Sequence, residues 1–173
     1  MELTFTQRRR QIRGKWETVG LYSRLPQLEG EDHPVILFYQ KGRDALERYV
    51  RERLLPMLED VPEEERRRSR LHRRETRLSY CVSGELIGGQ YLSLTLTVEG
   101  TDSAEHTRTE SHRVWALSEG CLCPIDLFLP RSIAKKYDRW DFILEEARLW
   151  VHPKSGGAGE WIEQKHIDKR ADL

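Results

Sequence analysis

The feature that most constrains this chain is a strict alternation of apolar and polar side chains over residues 91–98. The apolar positions are Leu92, Leu94, Leu96 and Val98. The positions that alternate with them are Tyr91, Ser93, Thr95 and Thr97. Successive side chains of a strand point to opposite faces, so this pattern predicts a strand with one buried and one polar face. Strand patterns at 77–86 and 107–117 flank it across short turns. Together they predict a three-stranded antiparallel meander.

A second pattern, within residues 36–61, has the helical period. Its apolar side chains recur at intervals of three and four residues, at Ala45, Leu46, Tyr49, Val50, Leu54 and Leu58. Pro56 lacks a backbone N–H, so we expect it to kink or end this helix near Leu55. A helix with one apolar stripe needs a sheet to cover it. The predicted fold is therefore α+β, an antiparallel β-sheet (meander) packed against one long amphipathic helix.

Shorter patterns flank these elements. Residues 1–15 are basic and predict a short strand or an N-terminal arm, ahead of a single α+β domain at 16–173. Residues 16–28 predict a strand followed by a turn. A short helix is predicted within 130–140, and three weaker strand patterns follow it, at FIL, ARLWVH and WIEQKHI.

The charges balance over the chain, with 29 Lys and Arg against 29 Asp and Glu. Such a chain is not built overall for nucleic acid or for a membrane surface. A basic block after Pro62 nevertheless offers a patch for an anionic partner, nucleic acid included: Arg66, Arg67, Arg68, Arg70, Arg73 and Arg74. The acids at 63–65 favour a solvated connector instead, because they neutralise these arginines and suit the positive end of a helix.

Targeting signals are absent from the sequence as given. It has no run of about 18 apolar residues that would span a membrane. Residues 1–16 carry charges where a secretory leader would be apolar, so we expect the chain to stay in the cytoplasm. An odd count of three cysteines without a leader argues against a disulfide framework.

The sequence shows none of the common catalytic or phosphate-binding motifs. A small enzyme with a Cys/His site, built from Cys121 or Cys123 with His106 or His112, remains an alternative. The C-x-C spacing and the scattered histidines do not predict a metal site, and no cofactor is predicted.

The favoured role is a non-catalytic binding or regulatory module with a protein partner. The predicted contact surface is the polar face of the meander and its end loops. Its members are Tyr91, Ser93, Thr95, Thr97, His106, Arg108, Glu110 and His112. The alternative is that this face is only solvated, and an edge strand could also pair with a second copy to give a homodimer.

The order of these segments also resembles a known family. The resemblance is carried by YSRLPQL (22–28), the helix, YLSLTLTVE (91–99) and PIDLF (124–128), and it covers roughly residues 16–165. The chain resembles the bacterial domain of unknown function in the extracellular part of RsiV-type anti-sigma factors, which also lies beside the catalytic domain of some peptidoglycan deacetylases. DLF at 126–128 is the most specific piece.

The resemblance implies a non-catalytic α+β module with a sensory or binding role. In the anti-sigma factors this module senses lysozyme, a protein ligand. Two departures argue against lysozyme as the ligand here. The family's glycine-rich GGAHG-like loop corresponds to TDSAEHT (101–107), in which only Ala104 and His106 match. Family members are usually secreted or membrane-tethered, whereas this chain as given shows neither a leader nor an anchor.

Overall fold

A computed structural model describes residues 2–30, 32–71, 75–101 and 105–163, without the side chains of 69–71. The strands are β1 (Thr4–Arg13), β2 (Thr18–Gln27), β3 (Thr76–Ile87), β4 (Tyr91–Thr101), β5 (His106–Ala116), β6 (Tyr137–Leu144), β7 (Arg148–Pro153) and β8 (Glu160–Glu163). The helices are α1 (Pro34–Tyr49), α2 (Leu55–Glu59), α3 (Glu63–Leu71) and α4 (Arg131–Ala134), with a π-helical segment at Val50–Leu54 and a 3-10 turn at Ile125–Leu127. None of the helices in these ranges is long and apolar enough to cross a membrane.

The strands form two sheets, β1 to β5 in one and β6 to β8 in the other, each in chain order. β3, β4 and β5 are antiparallel neighbours, which confirms the predicted meander. The pair β2–β3 is parallel, and the helical stretch between these strands provides the long crossover that a parallel pair needs. This parallel pair and the whole second sheet correct the predicted fold, which had one antiparallel sheet.

The predicted helix is continuous from Pro34 to Glu59, a span of 26 residues. The backbone N–H of Leu55 bonds to the carbonyl of Val50, one residue further back than in an α-helix. This π-type turn lets the helix pass Pro56, which has no N–H and whose ring would clash with the carbonyl four residues earlier. The expected kink therefore takes the form of a widened turn, and the helix ends only after Glu59.

Apolar side chains are buried on both faces of the five-stranded sheet. On one face, α1 packs Val35, Ile36 and Tyr39 against the apolar side chains of β3, β4 and β5, including Leu92 and Leu94. On the other face, the second sheet and the turns before it cover the strands. That core contains Ile87, Val114, Cys123, Ile125, Phe128, Leu129, Ala134, Phe142, Leu144, Leu149 and Val151. The fold is thus a three-layer arrangement of helix, large sheet and small sheet.

The DLF segment belongs to this second core. Phe128 packs edge-on against Tyr91, with 5.1 Å between ring centroids, and lies 5.8 Å from the ring of Phe142. Asp126 pairs with Arg139 of β6 at 3.3 Å. The segment therefore attaches the second sheet to the first, so its place in the fold is structural.

Candidate functional site

The predicted partner-binding face divides into a covered part and an open part. Ser93 and His112 are only 4% and 6% exposed, because the second sheet lies over them. The hydroxyl of Ser93 accepts a hydrogen bond from the backbone N–H of Leu144 at 3.0 Å. The prediction that Ser93 and His112 face solvent or a partner was therefore wrong. Ser93 on β4 and His112 on β5 instead form hydrogen bonds with β6 and so connect the two sheets.

The open part of that face lies further along β4 and β5. Arg108 donates hydrogen bonds to Glu99 at 2.8 Å and to Glu110 at 3.0 Å, across and along the strands. Thr97 is half-buried beside them and His106 is exposed at the start of β5. Because Arg108 pairs with two carboxylates, this group of three side chains has a small excess of negative charge.

Part of the basic block lies on a helix beside its own acids, and its role as a connector or as a patch for an anionic partner stays a prediction. The helix α3 begins just after Pro62, and Arg67 pairs with Glu63 one turn away at 3.0 Å. Arg66 donates to the carbonyl of Val61 at 2.8 Å. Arg68 is exposed. The remaining members lie outside what the structure describes: the side chain of Arg70, and Arg73 and Arg74 entirely.

The two thiols of the C-x-C segment differ in burial. Cys121 is exposed and lies 3.7 Å from a carboxylate oxygen of Glu119, whereas Cys123 is only 2% exposed. Burial raises the pKa of Cys123 to about 11. An activated nucleophile needs a lowered pKa, so Cys123 is unsuited to that role. The Cys121/His alternative stays a prediction.

We expect iodoacetamide at about pH 8 to alkylate Cys121 at least about tenfold faster than Cys123, because little of a thiol with a pKa near 11 is ionised there and its side chain is shielded. Peptide mapping by mass spectrometry during the reaction measures both rates. In denaturant the two rates should become similar. Equal rates in the native protein would contradict the burial of Cys123.

A groove of about 510 Å³ lies on the edge strand β1 and its neighbours β2 and β3. Its lining is Arg9, Arg10, Gln11, Gly20, Leu21, Tyr22, Glu75, Arg77 and Leu78. Gly20 has no side chain to fill the space, and a Cβ there would stand 3.4 Å from a carboxylate oxygen of Glu75. The lining holds three arginines and the carboxylate of Glu75, and Arg10 also pairs with Glu47 of α1, so the groove carries a small net positive charge.

The arginines of the groove are held in place by neighbours. Arg9 lies over the ring of Tyr22, with its guanidinium carbon 5.9 Å from the centroid. Arg77 pairs with Glu75 at 3.1 Å, and Arg10 pairs with Glu47 at 2.7 Å. Sequence reasoning missed this site, although the run RRR at 8–10 marks one wall of it.

A polar cluster of His112, Asp141 and His152 lies where β5 meets the second sheet. Each residue offers one potential ligand atom, and the three atoms all lie within 4.8 Å of one another. The two imidazole rings are stacked, with 5.8 Å between centroids and 12° between planes. Burial lowers the pKa of His112, against the opposing effect of the carboxylates of Asp141 and Glu110.

Hydrogen bonds hold two members of this cluster, His112 and Asp141. Thr95 Oγ1 lies 2.9 Å from Nδ1 of His112, and Asp141 Oδ1 accepts from the backbone N–H of His112 at 2.8 Å. The register of β6 shifts between Tyr137 and Phe142. Within this irregularity, Asp138 accepts from the N–H of Asp141 at 2.9 Å. The irregular strand thus directs Asp141 toward β5, as bulges near functional sites do.

Comparison with known proteins shows the fold. No protein-family profile and no curated protein matches the chain. The chain is similar to the crystal structure of a DUF3298 family member from Bacteroides fragilis NCTC 9343, with a TM-score of 0.54 and 12% identity, over 94% of this chain and 89% of that one. A DUF3298 family protein from Pseudomonas aeruginosa PAO1 aligns at a TM-score of 0.43 and 9% identity, over 99% of this chain and 94% of that one.

These neighbours are named only as members of a family of unknown function, and they indicate no catalytic activity. The anti-sigma-factor and deacetylase contexts therefore stay predictions, as do the role and the cellular location. The chain has the fold of a DUF3298 protein, a domain of unknown function.

Proposed function

We propose that this chain is a non-catalytic binding module that takes an extended, acidic segment of a protein partner along β1. The observation that carries the proposal is the arginine-lined groove that reaches from this strand across β2 to β3. Within the described residues, β1 is the end strand of its sheet and pairs only with β2. An edge strand presents backbone N–H and C=O groups that an added strand of a partner can pair with.

The charge of β1 selects the partner. Four of the ten residues of this strand are exposed arginines: Arg8, Arg9, Arg10 and Arg13. Arginine binds carboxylates through two parallel hydrogen bonds, which gives both energy and geometry. Tyr22 adds an aromatic surface, and arginine and tyrosine are residue types that protein interfaces favour. The site thus suits a peptide that alternates acidic and uncharged side chains.

A second copy of the chain suits this edge less well. Two β1 strands side by side would bring arginines of both copies together, and like charges on paired strands are destabilising. Nucleic acid also suits it less, because the edge of a strand pairs with a peptide backbone rather than with phosphates. Both become outcomes of the test.

Fluorescence anisotropy tests the proposal with a labelled twelve-residue peptide of alternating Glu and Thr. We expect the double variant Arg9→Glu, Arg77→Glu to weaken binding at least about tenfold, because two carboxylate contacts become repulsions. The matched control is Arg48→Glu, Arg131→Glu, which changes the net charge equally at exposed positions away from the groove. It should shift the affinity less than about twofold.

The comparison ligands are the same peptide with Lys for Glu and a single-stranded oligonucleotide. Equal losses in the two double variants would contradict a site in the groove, as would no binding of the acidic peptide at about 1 mM. Tighter binding of the oligonucleotide than of the acidic peptide would replace the protein partner with nucleic acid. Self-association of the unliganded chain that the groove variant abolishes would replace it with a second copy.

A further inference from the structure

We infer that His112, Asp141 and His152 form a binding site for a divalent transition-metal ion of the zinc class, at the junction of the two sheets. The residues come from β5, β6 and β7, so an ion there would tie the edge of the large sheet to the small one. Two imidazoles and one carboxylate are a ligand set that zinc accepts, with water in the fourth position.

The three ligand atoms are close enough together for small side-chain movements to bring them around one ion. Nitrogen and oxygen ligands bound at about 2.0–2.1 Å to a tetrahedral ion lie about 3.3 Å apart. The three potential ligand atoms here lie within 4.8 Å of one another, so they would have to approach by at most about 1.5 Å to bind such an ion. Asp141 and His152 are half-buried, so their side chains are less confined than the buried side chain of His112.

The surroundings resemble the supporting contacts of metal sites. A metal-bound histidine usually has a hydrogen-bond partner at its other ring nitrogen, and the hydroxyl of Thr95 is 2.9 Å from Nδ1 of His112. One oxygen of Asp141 holds the N–H of His112, which leaves the other oxygen to the ion. The indole of Trp150 stands edge-on to His152, at 6.2 Å and 87°, and forms an apolar wall.

The charge balance also suits a cation. Glu110 lies next to the cluster, with its Oε1 3.6 Å from Nε2 of His112. It supplies a second carboxylate, either as a fourth ligand or as a partner of a bound water. The partial exposure of Asp141 and His152 gives an ion access from solvent.

Isothermal titration of the tag-free full chain with Zn²⁺, repeated with Co²⁺ and its visible spectrum, tests the site. We expect one ion to bind per chain, with a Co²⁺ spectrum free of thiolate bands, and Zn²⁺ to raise the melting temperature. His152→Gln and Asp141→Asn should each weaken binding at least about 100-fold, since even supporting residues around metals change affinity 10–100-fold. The matched controls are His106→Gln, an exposed histidine of the same strand as His112, and Cys121→Ser.

Binding that both ligand variants retain would overturn the site, and so would binding that is lost in Cys121→Ser. The absence of binding at about 1 mM Zn²⁺ would also overturn it and leave the cluster as a hydrogen-bonded junction in which Asp141 caps the edge of β5. These readouts do not depend on the acidic peptide, so the two proposals fail separately.

Discussion

Replacing Phe142 with alanine lowers the free energy of unfolding by about 3–5 kcal/mol, the usual cost of deleting a buried aromatic ring. Phe142 is 0% exposed and lies in the core between the two sheets, beside Phe128. The side chains around a deleted ring usually relax only partly, so a cavity remains between the sheets. Urea denaturation followed by tryptophan fluorescence gives the difference, with an unchanged m-value as the sign of a two-state comparison.

Phe38→Ala is the matched control for this change. Phe38 is 40% exposed at the helix surface, although its ring contacts Trp115 at 5.0 Å between centroids and lies under the guanidinium of Arg113. We expect the free energy of unfolding to fall by about 1 kcal/mol, because a half-exposed ring buries less apolar surface on folding than the ring of Phe142 does. A Phe142→Ala variant no less stable than Phe38→Ala would contradict a packed core between the sheets.

Gly84→Ala should lower the free energy of unfolding by about 2–5 kcal/mol, the sum of backbone strain and overpacking. Gly84 has a φ of +145°, a backbone conformation that residues with a side chain rarely adopt. An added Cβ would also overlap the carbonyl oxygen of Ser93 on the neighbouring strand. It would also stand 2.9 Å from Cα of Leu94. Both neighbours are backbone atoms of β4, so the sheet itself has to shift.

Gly88→Ala separates the two contributions. Gly88 also has a positive φ, +56°, but an added Cβ there meets no atom within 4 Å. Its expected cost is about 1–2 kcal/mol, from the backbone conformation alone. Thermal and urea unfolding of both variants provide the measurement. Equal costs at the two glycines would show that β4 yields to the added methyl group without penalty.

Local patterns predicted the parts of the fold that local physics decides. The alternation of β4 predicted its strand and the burial of Leu92 and Leu94, because side-chain direction has period two. The same pattern misplaced Ser93, whose partner Leu144 is 51 residues away in a weak strand pattern. The parallel pairing of β2 with β3 could not be predicted either, since the pattern of one strand does not indicate which strand it pairs with.

The candidate sites show the same division. The arginine run of β1 was visible in the sequence, but Gly20, Tyr22 and Arg77 join it only through strand pairing. His112 and Asp141 are 29 residues apart, and an irregular turn of β6 brings them together. Metal-ligand spacings known from helices and loops give no warning of such a cluster, because its members converge from three strands.

The strand order has a thermodynamic consequence for the two proposed sites. The groove reaches from β1 across to β3, and the histidine cluster lies at the β5 edge, so at least two strand spacings, about 10 Å, separate the two sites. That distance exceeds the screening length of charges at physiological salt, about 8 Å. The charge of an ion at one edge should therefore hardly change peptide affinity at the other, and the two binding free energies should add.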